Sequence, residues 1–235
     1  MHGATKEFDR SVLLRAEALL KEQTRSVYTN TTRVFMLLLG LQWLAGIVIA
    51  FTVSPRTWSG DTSSLHLHVR SALLLGFLLS SYPMYLARTA PDATFTRHII
   101  AATQLLWSGL LVHLSGGRIE THFHVFGSLA FLAFYRDWRV FITATLVVAT
   151  DHFVRGLLWP QSVYGVLSAS PWRTAEHTGW VLFESIFLTY SCCKSMVEMR
   201  SNCLRQATAE QTSKELQRKI AEEEVLRRDL HAALR

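Results

Sequence analysis

The sequence predicts an all-α integral membrane bundle of six transmembrane helices, with an N-terminal amphipathic helix and a C-terminal cytoplasmic coiled-coil helix. Of its 235 residues, 49% are hydrophobic and only 18% are charged, and the mean hydropathy is positive. A helix needs about 20 apolar residues to cross the hydrocarbon layer. The stretches that approach this length are 34–53, 67–86, 98–114, 120–135, 140–158 and 175–196.

Residues 1–32 precede the first of these spans and form a predicted cytoplasmic or interfacial helix. The run SVLLRAEALLKEQTRSVY spaces its apolar residues with a helical period. The N-terminus has no continuous apolar segment like that of a secretory signal peptide, so we expect no cleaved leader.

Basic residues predict the orientation of the spans. Lys and Arg concentrate before the first span, in the connectors 87–97 and 136–139, and after the last span. Such regions face the cytoplasm. We therefore expect a multi-pass protein of the bacterial inner (cytoplasmic) membrane, surrounded by lipid, with both termini in the cytoplasm. Because the charge of +6 is explained by topology, we expect no nucleic-acid partner.

Residues 197–235 follow the predicted sensor domain, residues 33–196, as a cytoplasmic signalling helix. They contain no Gly or Pro, so we expect the helix of the last span to continue out of the membrane. Leu216, Ile220, Leu226, Leu230 and Leu234 form an imperfect apolar seam. The seam favours a coiled coil with a second copy of the chain, hence a homodimer, although a solvated single helix has the same composition. Lys194, Leu216 and Ile220 are the predicted signalling residues. We expect the chain to stop before an output domain.

Histidines and carboxylates from several spans are predicted to lie at one level, in the outer third of the membrane. Glu120 and His124 are four residues apart and share a helix face, as do His177 and Glu184, seven apart. The candidate metal ligands are His113, Glu120, His124, Asp151, His152, His177 and Glu184, with His122 and His68 as weaker candidates because His122 points away from Glu120 and His68 can reach water.

Imidazoles with nearby carboxylates are the ligands of a divalent transition metal, here zinc, copper or iron. Haem b is the alternative cofactor, with two histidines as axial ligands and Gly109 leaving room for a porphyrin edge. Individual residues have simpler interpretations: Asp151 can pair with Arg155, and Glu184 can be a neutral acid. The sequence indicates no catalytic residue.

The segments IETHFHVF, FYRDWR and EHTGWVLFE resemble the N-terminal six-helix membrane sensor module of bacterial sensor histidine kinases, which also occurs ahead of chemoreceptor-type outputs. The resemblance covers about residues 104–193. It implies a histidine kinase as the full-length parent and a cytoplasmic output domain or response regulator as partner. This chain contains no kinase catalytic domain, and His231 lacks the neighbours of a phosphoacceptor.

Two functions of different classes follow. The first is a sensor, in which a metal or a ligand bound through it changes the packing of the last helices, and the change passes into the cytoplasmic helix. The second is a membrane oxidoreductase or haem-binding protein that uses the same site. Transport is a weaker third possibility, because no inverted repeat is present.

Overall fold

The computed structural model describes the backbone of residues 2–234 and the side chains of residues 9–234. The chain is 86% helical, which confirms the all-α class. It divides into two compact units. One unit is Arg25–Lys194, and the other combines the residues up to Thr24 with those from Ser195 onward.

All of the predicted spans are helical, and two of them belong to longer helices. The last span and the cytoplasmic helix are one helix, as expected from the sequence, and the N-terminal helix and the first span are also one helix, which was not expected. The helices are α1 (His2–Val53), α2 (Leu67–Thr89), α3 (Thr94–Leu114), α4 (Ile119–Leu132), α5 (Arg139–Leu158), α6 (Pro160–Tyr164) and α7 (Pro171–Ala233), with a 3-10 turn at Ala133–Tyr135 after α4.

Within the described residues, three helices are long and apolar enough to cross a membrane. They are Asp9–Val53 within α1, Leu67–Thr89 and Arg139–Leu158. Of the other predicted spans, α4 has only 14 residues, and α3 carries polar residues that lower its hydropathy. Length and composition therefore establish three candidate spans.

A short antiparallel hairpin between α1 and α2 was not predicted from the sequence. Strand β1 (Arg56–Ser59) pairs with β2 (Thr62–Leu65), and Ser59 lies opposite Thr62. The two-residue turn between them has Gly60 at φ +61°. Positive φ at the first central residue favours Gly and matches the twist of a hairpin.

Helix α3 is the centre of the 25–194 unit. Fourteen of its 21 residues are buried. One apolar cluster joins α3 to α1, α4, α5 and α7, and includes Ile100, Leu105 and Leu129. A second cluster joins α3 to α1 and α2 around the fully buried Trp107. The outward faces of α1 and α2 instead expose large apolar side chains, among them Leu37, Leu44, Leu74 and Leu78, as expected of a surface in contact with lipid.

A buried ion pair joins α3 to the turn before α5. The Nη2 atom of Arg97 lies 3.1 Å from Oδ2 of Asp137, and the two side chains are 5% and 7% exposed. The Arg97 guanidinium also lies over the Tyr28 ring, 3.7 Å from its centroid. The other oxygen of Asp137 accepts a hydrogen bond from the backbone N–H of Arg139, at the start of α5. Asp137 of the FYRDWR segment therefore links α3 to the start of α5.

In the second unit, the beginning of α1 packs against α7 in the antiparallel sense. Val12, Ala16 and Leu19 contact Cys203 and Ala207 in one apolar cluster. The Nε atom of Arg15 lies 2.7 Å from Oε2 of Glu210, while the Cys203 thiol donates to Gln23 Oε1. Arg15 pairs with Glu210, and Gln23, later in α1, pairs with Cys203, which is earlier in α7. The two helices therefore run in opposite directions. Small side chains at the contact allow their backbones to approach closely.

Asp137→Asn should lower the free energy of unfolding by about 3 to 5 kcal/mol, because it leaves the Arg97 guanidinium buried without a counter-charge. Equilibrium unfolding in mixed micelles measures this. Asp92→Asn is the control: it removes the exposed Arg25–Asp92 pair, and such pairs contribute about 0 to 1 kcal/mol. Equal, small effects of both substitutions would contradict a stabilising role for the buried pair.

The α1–α7 pair of the second unit should weaken in acid. The hydrogen bond from Arg15 lowers the pKa of Glu210 below its ordinary value of 4.5. A lowered folded-state pKa gives stability above the unfolded pKa that is lost as pH falls through the folded one. Amide protection factors for residues 9–24 should therefore decline below about pH 4.5, whereas Glu210→Gln removes this decline and the control Glu215→Gln keeps it.

Candidate functional site: a three-histidine cluster

Three histidines from three helices meet at the end of the 25–194 unit where α4 and α7 begin and α5 ends. The ring centroids are 5.6 Å apart for His122 and His152, 5.3 Å for His122 and His177, and 5.9 Å for His152 and His177. His122 and His152 are buried, and His177 is partly exposed. We call these residues the three-histidine cluster.

Each ring of the cluster is fixed by a hydrogen bond to its own helix. The Nδ1 atoms of His122, His152 and His177 lie 3.0, 3.1 and 2.8 Å from the carbonyl oxygens of the residues four positions earlier. A carbonyl can only accept, so each Nδ1 carries the proton and each neutral ring keeps its lone pair on Nε2. Within the described residues, Nε2 of His122 is buried and has no hydrogen-bond partner.

Asp151 and Arg155 support the cluster from the α3 side. Asp151 Oδ2 lies 3.3 Å from Nδ1 of His152. The Arg155 guanidinium donates to both oxygens of Asp151 and, through Nη1, to the Ser162 hydroxyl at 3.0 Å. The ion pair anticipated from the sequence is therefore present, and it orients the carboxylate toward His152.

Gly109 gives this ion pair its space against α3. A Cβ at this position would lie 2.9 Å from Arg155 Nη2 and 3.1 Å from Asp151 Oδ2. The space next to Gly109, which the haem alternative assigns to a porphyrin edge, is therefore filled by two side chains.

His113 belongs to a second group of rings. Its centroid is 4.8 Å from that of His68, which is 4.3 Å from that of His66. The Nδ1 atom of His113 lies 2.9 Å from the Ser162 hydroxyl, which also binds Arg155. His113 and His68 are thus joined to the three-histidine cluster only indirectly, through Ser162 and the Asp151–Arg155 pair.

The remaining predicted ligands lie elsewhere. Both ring nitrogens of His124 are hydrogen bonded, to Gln42 at 2.9 Å and to Ser108 at 2.8 Å. Glu120 is exposed and lies 3.5 Å from Arg118. Glu184 has one buried carboxyl oxygen without a partner among the described residues.

The structure therefore brings together His152 and His177 from the main prediction, Asp151 as their support, and His122 from the weaker candidates. A signal for His122 exists in the sequence. It precedes the buried residues Val125, Leu129 and Leu132 at helical spacing, so it continues the buried stripe of α4. If the turns of α4 are counted from this buried stripe, rather than from Glu120, His122 falls on the buried face of the helix.

Two connectors hold the helix ends around the cluster. Gly116 and Gly117, between α3 and α4, have φ values of +75° and +77°. A Cβ on Gly117 would lie 2.3 Å from the backbone nitrogen of Gly165, the residue after α6. The two connectors therefore touch through their backbones, and only glycine allows this approach.

A cavity of about 350 Å³ opens beside the cluster and includes its histidines in its wall. The rest of the wall is mainly apolar, with Phe123 and Phe126 from α4 and Val181 from α7. Tyr164 closes the cluster on another side: its ring centroid is 5.2 Å from that of His177, and its hydroxyl lies 2.8 Å from that of Thr174. Burial raises the pKa of the Tyr164 phenol, so it stays protonated.

Among the side chains of residues 9–234, no group of three or more His, Cys, Asp or Glu stands in an arrangement that could hold a metal ion. The three-histidine cluster meets two of the requirements, namely separate helices and free Nε2 lone pairs, and lacks rings converged on one point.

In comparisons with known proteins, the chain is similar to Transducer protein Htr8 of Halobacterium salinarum, with 39% identity over 79 residues. The similarity covers 32% of this chain and 12% of that protein. No protein-family profile matches the chain. No solved structure matches it. The resemblance to the sensor module of histidine kinases stays a prediction.

Two glycine substitutions should change stability in opposite directions. Gly127 has no atom within 4 Å of an added Cβ, so Gly127→Ala should stabilise α4 by about 0.5 to 1 kcal/mol. Gly109→Ala should instead destabilise by about 1 to 3 kcal/mol, because the added methyl group displaces the Asp151–Arg155 pair. Equilibrium unfolding of both variants measures the difference; stabilisation by Gly109→Ala would contradict the packing described here.

Proposed function

We propose that this chain is the membrane-embedded sensing module of a signal transducer, in which the three-histidine cluster binds a divalent transition metal. In this proposal six helical segments cross the bacterial inner membrane, with both termini in the cytoplasm. Support comes from the partial similarity to a protein named as a transducer, from the apolar outer surface, and from the cluster itself.

The observation that carries the metal proposal is the set of Nδ1 hydrogen bonds. Metal-binding histidines usually donate their second ring N–H to a backbone carbonyl or carboxylate, which fixes the tautomer and the ring orientation. Here all three rings do so within their own helices, and His152 additionally faces Asp151. Such bonds prepare every Nε2 atom for coordination.

The spacing of the rings supports the same proposal. With metal–nitrogen distances of about 2.0 to 2.1 Å, three imidazoles around one ion have centroids about 4.5 to 5.5 Å apart. The observed centroid distance of 5.3 Å lies in this range, and those of 5.6 and 5.9 Å lie slightly above it, so the rings are close to the spacing that a shared ion would need. Because the rings do not converge on one point, coordination of a single ion requires a small adjustment of the three helix ends that keeps the Nδ1 hydrogen bonds.

The ligand set indicates which ions are suitable. Neutral imidazoles bind zinc, copper and iron well. Asp151 is at hydrogen-bonding distance from His152, and Arg155 already offsets its charge, while Glu176 lies in the wall of the same cavity. We therefore assign Asp151 a positioning role behind His152 instead of the role of a direct ligand.

Binding at this cluster can influence α7 because His177 is part of that helix. An ion held by α4, α5 and α7 favours the arrangement in which the three helix ends are close. Coupling of this kind amounts to about 1 to 3 kcal/mol and depends on the difference in affinity between two states. Within α7 the cluster-bearing segment is continuous with Lys194 and the residues beyond it.

The cytoplasmic segment of α7 is proposed to pair with a second copy of the chain and to act on an output domain. Leu216, Ile220, Leu226 and Leu230 are all exposed, as the seam of a coiled coil would be before its partner binds. The output is a chemoreceptor-type domain, or a histidine kinase that acts on a response regulator.

Metal binding by the purified chain tests this proposal. Co²⁺ serves as an optical probe, and elemental analysis after growth with zinc, copper and iron identifies the natural ion. His122→Ala, His152→Ala and His177→Ala should each weaken Co²⁺ binding at least tenfold, and Asp151→Asn should weaken it about 10- to 100-fold.

Two other histidines provide matched controls. His98 lies at the end of α3 that is far from the cluster, and its ring is hydrogen bonded to Thr143. Both ring nitrogens of His124 are already hydrogen bonded. His98→Ala and His124→Ala should therefore retain binding. Full binding in all three cluster variants, or its loss only in His124→Ala, would refute the assignment.

A further inference from the structure

Glu176 places a carboxylate next to the three-histidine cluster. It precedes His177 in α7, and both residues lie in the wall of the cavity of about 350 Å³. The Glu176 carboxylate interacts electrostatically with the His177 ring. The Nδ1 atom of His177 lies 2.8 Å from the Arg173 carbonyl oxygen, so the ring is turned back over residues 173–176. The ring and the carboxylate therefore belong to one helical turn and border the same cavity.

Within the described residues, the charge of Glu176 is not offset by a basic side chain. Asp151 is paired with Arg155, whereas no Lys or Arg of the described part of the chain forms an ion pair with Glu176, which is exposed. Arg173, about one turn earlier in α7, instead lies over the Tyr164 ring, 5.7 Å from its centroid. The Glu176 carboxylate is therefore available to a cation.

A divalent ion held by three neutral imidazoles needs one more ligand and a compensating charge. Zinc in proteins usually has four ligands in a tetrahedral arrangement. The three rings supply three nitrogen donors and no negative charge, and most of the cavity wall is apolar, including Phe123, Phe126 and Val181. An uncompensated double charge in such surroundings is costly. A carboxylate in the fourth position supplies the missing donor and lowers the net charge of the site.

We propose that Glu176 is the fourth ligand of the ion held by His122, His152 and His177. This inference rests on the proposed metal binding at the cluster and adds the residue that completes the site. The Cα atoms of adjacent residues are about 3.8 Å apart, so Glu176 and His177 can approach one ion from neighbouring directions. The flexible Glu176 side chain reaches the ion by turning into the cavity.

A site completed in this way determines what the sensor detects. Zinc sites with four protein ligands are closed, whereas sites with three protein ligands keep a position open for another molecule. With Glu176 in place, the ion itself is the signal, and it does not act as a cofactor that captures a second molecule. Helix α7 supplies two of the four ligands, so binding acts on this helix more strongly than on α4 or α5.

Co²⁺ coordination tests this assignment, because the visible spectrum of Co²⁺ responds to each of its ligands. The whole chain in lipid nanodiscs is titrated with Co²⁺ alone, and azide is then added as a small anion that occupies an open coordination position. We expect azide to leave the spectrum of the unaltered, Co²⁺-loaded chain unchanged. Glu176→Gln should weaken Co²⁺ binding at least tenfold, and azide should shift the spectrum of the loaded variant. Because Glu176 is exposed, the substitution should leave the helix content unchanged by circular dichroism.

Glu184→Gln is the matched control. Glu184 is a carboxylate of the same helix, seven residues beyond His177. At a rise of 1.5 Å per residue, this separation is about 10 Å along the helix axis. Glu184→Gln should therefore keep both the affinity for Co²⁺ and the insensitivity of its spectrum to azide.

Three results would overturn the assignment of Glu176 and leave metal binding by the histidines intact. They are an azide-induced shift in the unaltered chain, unchanged Co²⁺ affinity in Glu176→Gln, and weakened binding in Glu184→Gln alone. If the unaltered chain binds no Co²⁺, the three-histidine proposal fails and the assignment of Glu176 fails with it. The Co²⁺ titration of the unaltered chain thus separates the two kinds of failure.

Discussion

Polar groups inside an apolar layer must find their hydrogen-bond partners within the protein, and helix α3 is where this constraint is met. Arg97 binds Asp137 before α5, Gln104 and Ser108 bind side chains of α4, and His113 binds Ser162 of α6. Between these contacts, Gly109 makes room for the ion pair of α5. These bonds tie α3 to α4, to α6 and to the turn before α5, and so help to position α4 and α5, which carry His122 and His152.

The chemistry of each histidine depends on its second nitrogen. In the three-histidine cluster, Nδ1 donates to a backbone carbonyl and Nε2 keeps a lone pair. His124, only two residues from His122, has both nitrogens bound by side chains. The two residues share a helix and a residue type, yet one is available to a metal ion and the other belongs to a closed polar network.

The sequence predicts the helices well because long apolar runs between polar connectors have few other solutions. It predicts that the last span continues into the charged tail, but it does not predict that α1 continues through its charged boundary, since charged residues are as acceptable in a helix as in a connector. Rise along each helix indicates which histidines lie at one end of the bundle. The direction in which each side chain faces around its helix is harder to predict. His122 and His124 differ by more than half a turn, and only the buried stripe at Val125 and Leu129 shows which of them faces the core. The bond between His113 and Ser162 depends on α6, a five-residue helix marked in the sequence only by Pro160 at its start and Gly165 after its end.

The backbone contact between Gly117 and Gly165 has a consequence for how the molecule is assembled. The two residues belong to connectors made at different times during synthesis, and neither connector can reach its final conformation without the other. His177 is synthesised later still, so the cluster can be completed only after α7 has been made. Completion of the cluster is therefore a late folding event, and a ribosome-bound chain that ends before α7 has two of its three histidines but no finished site.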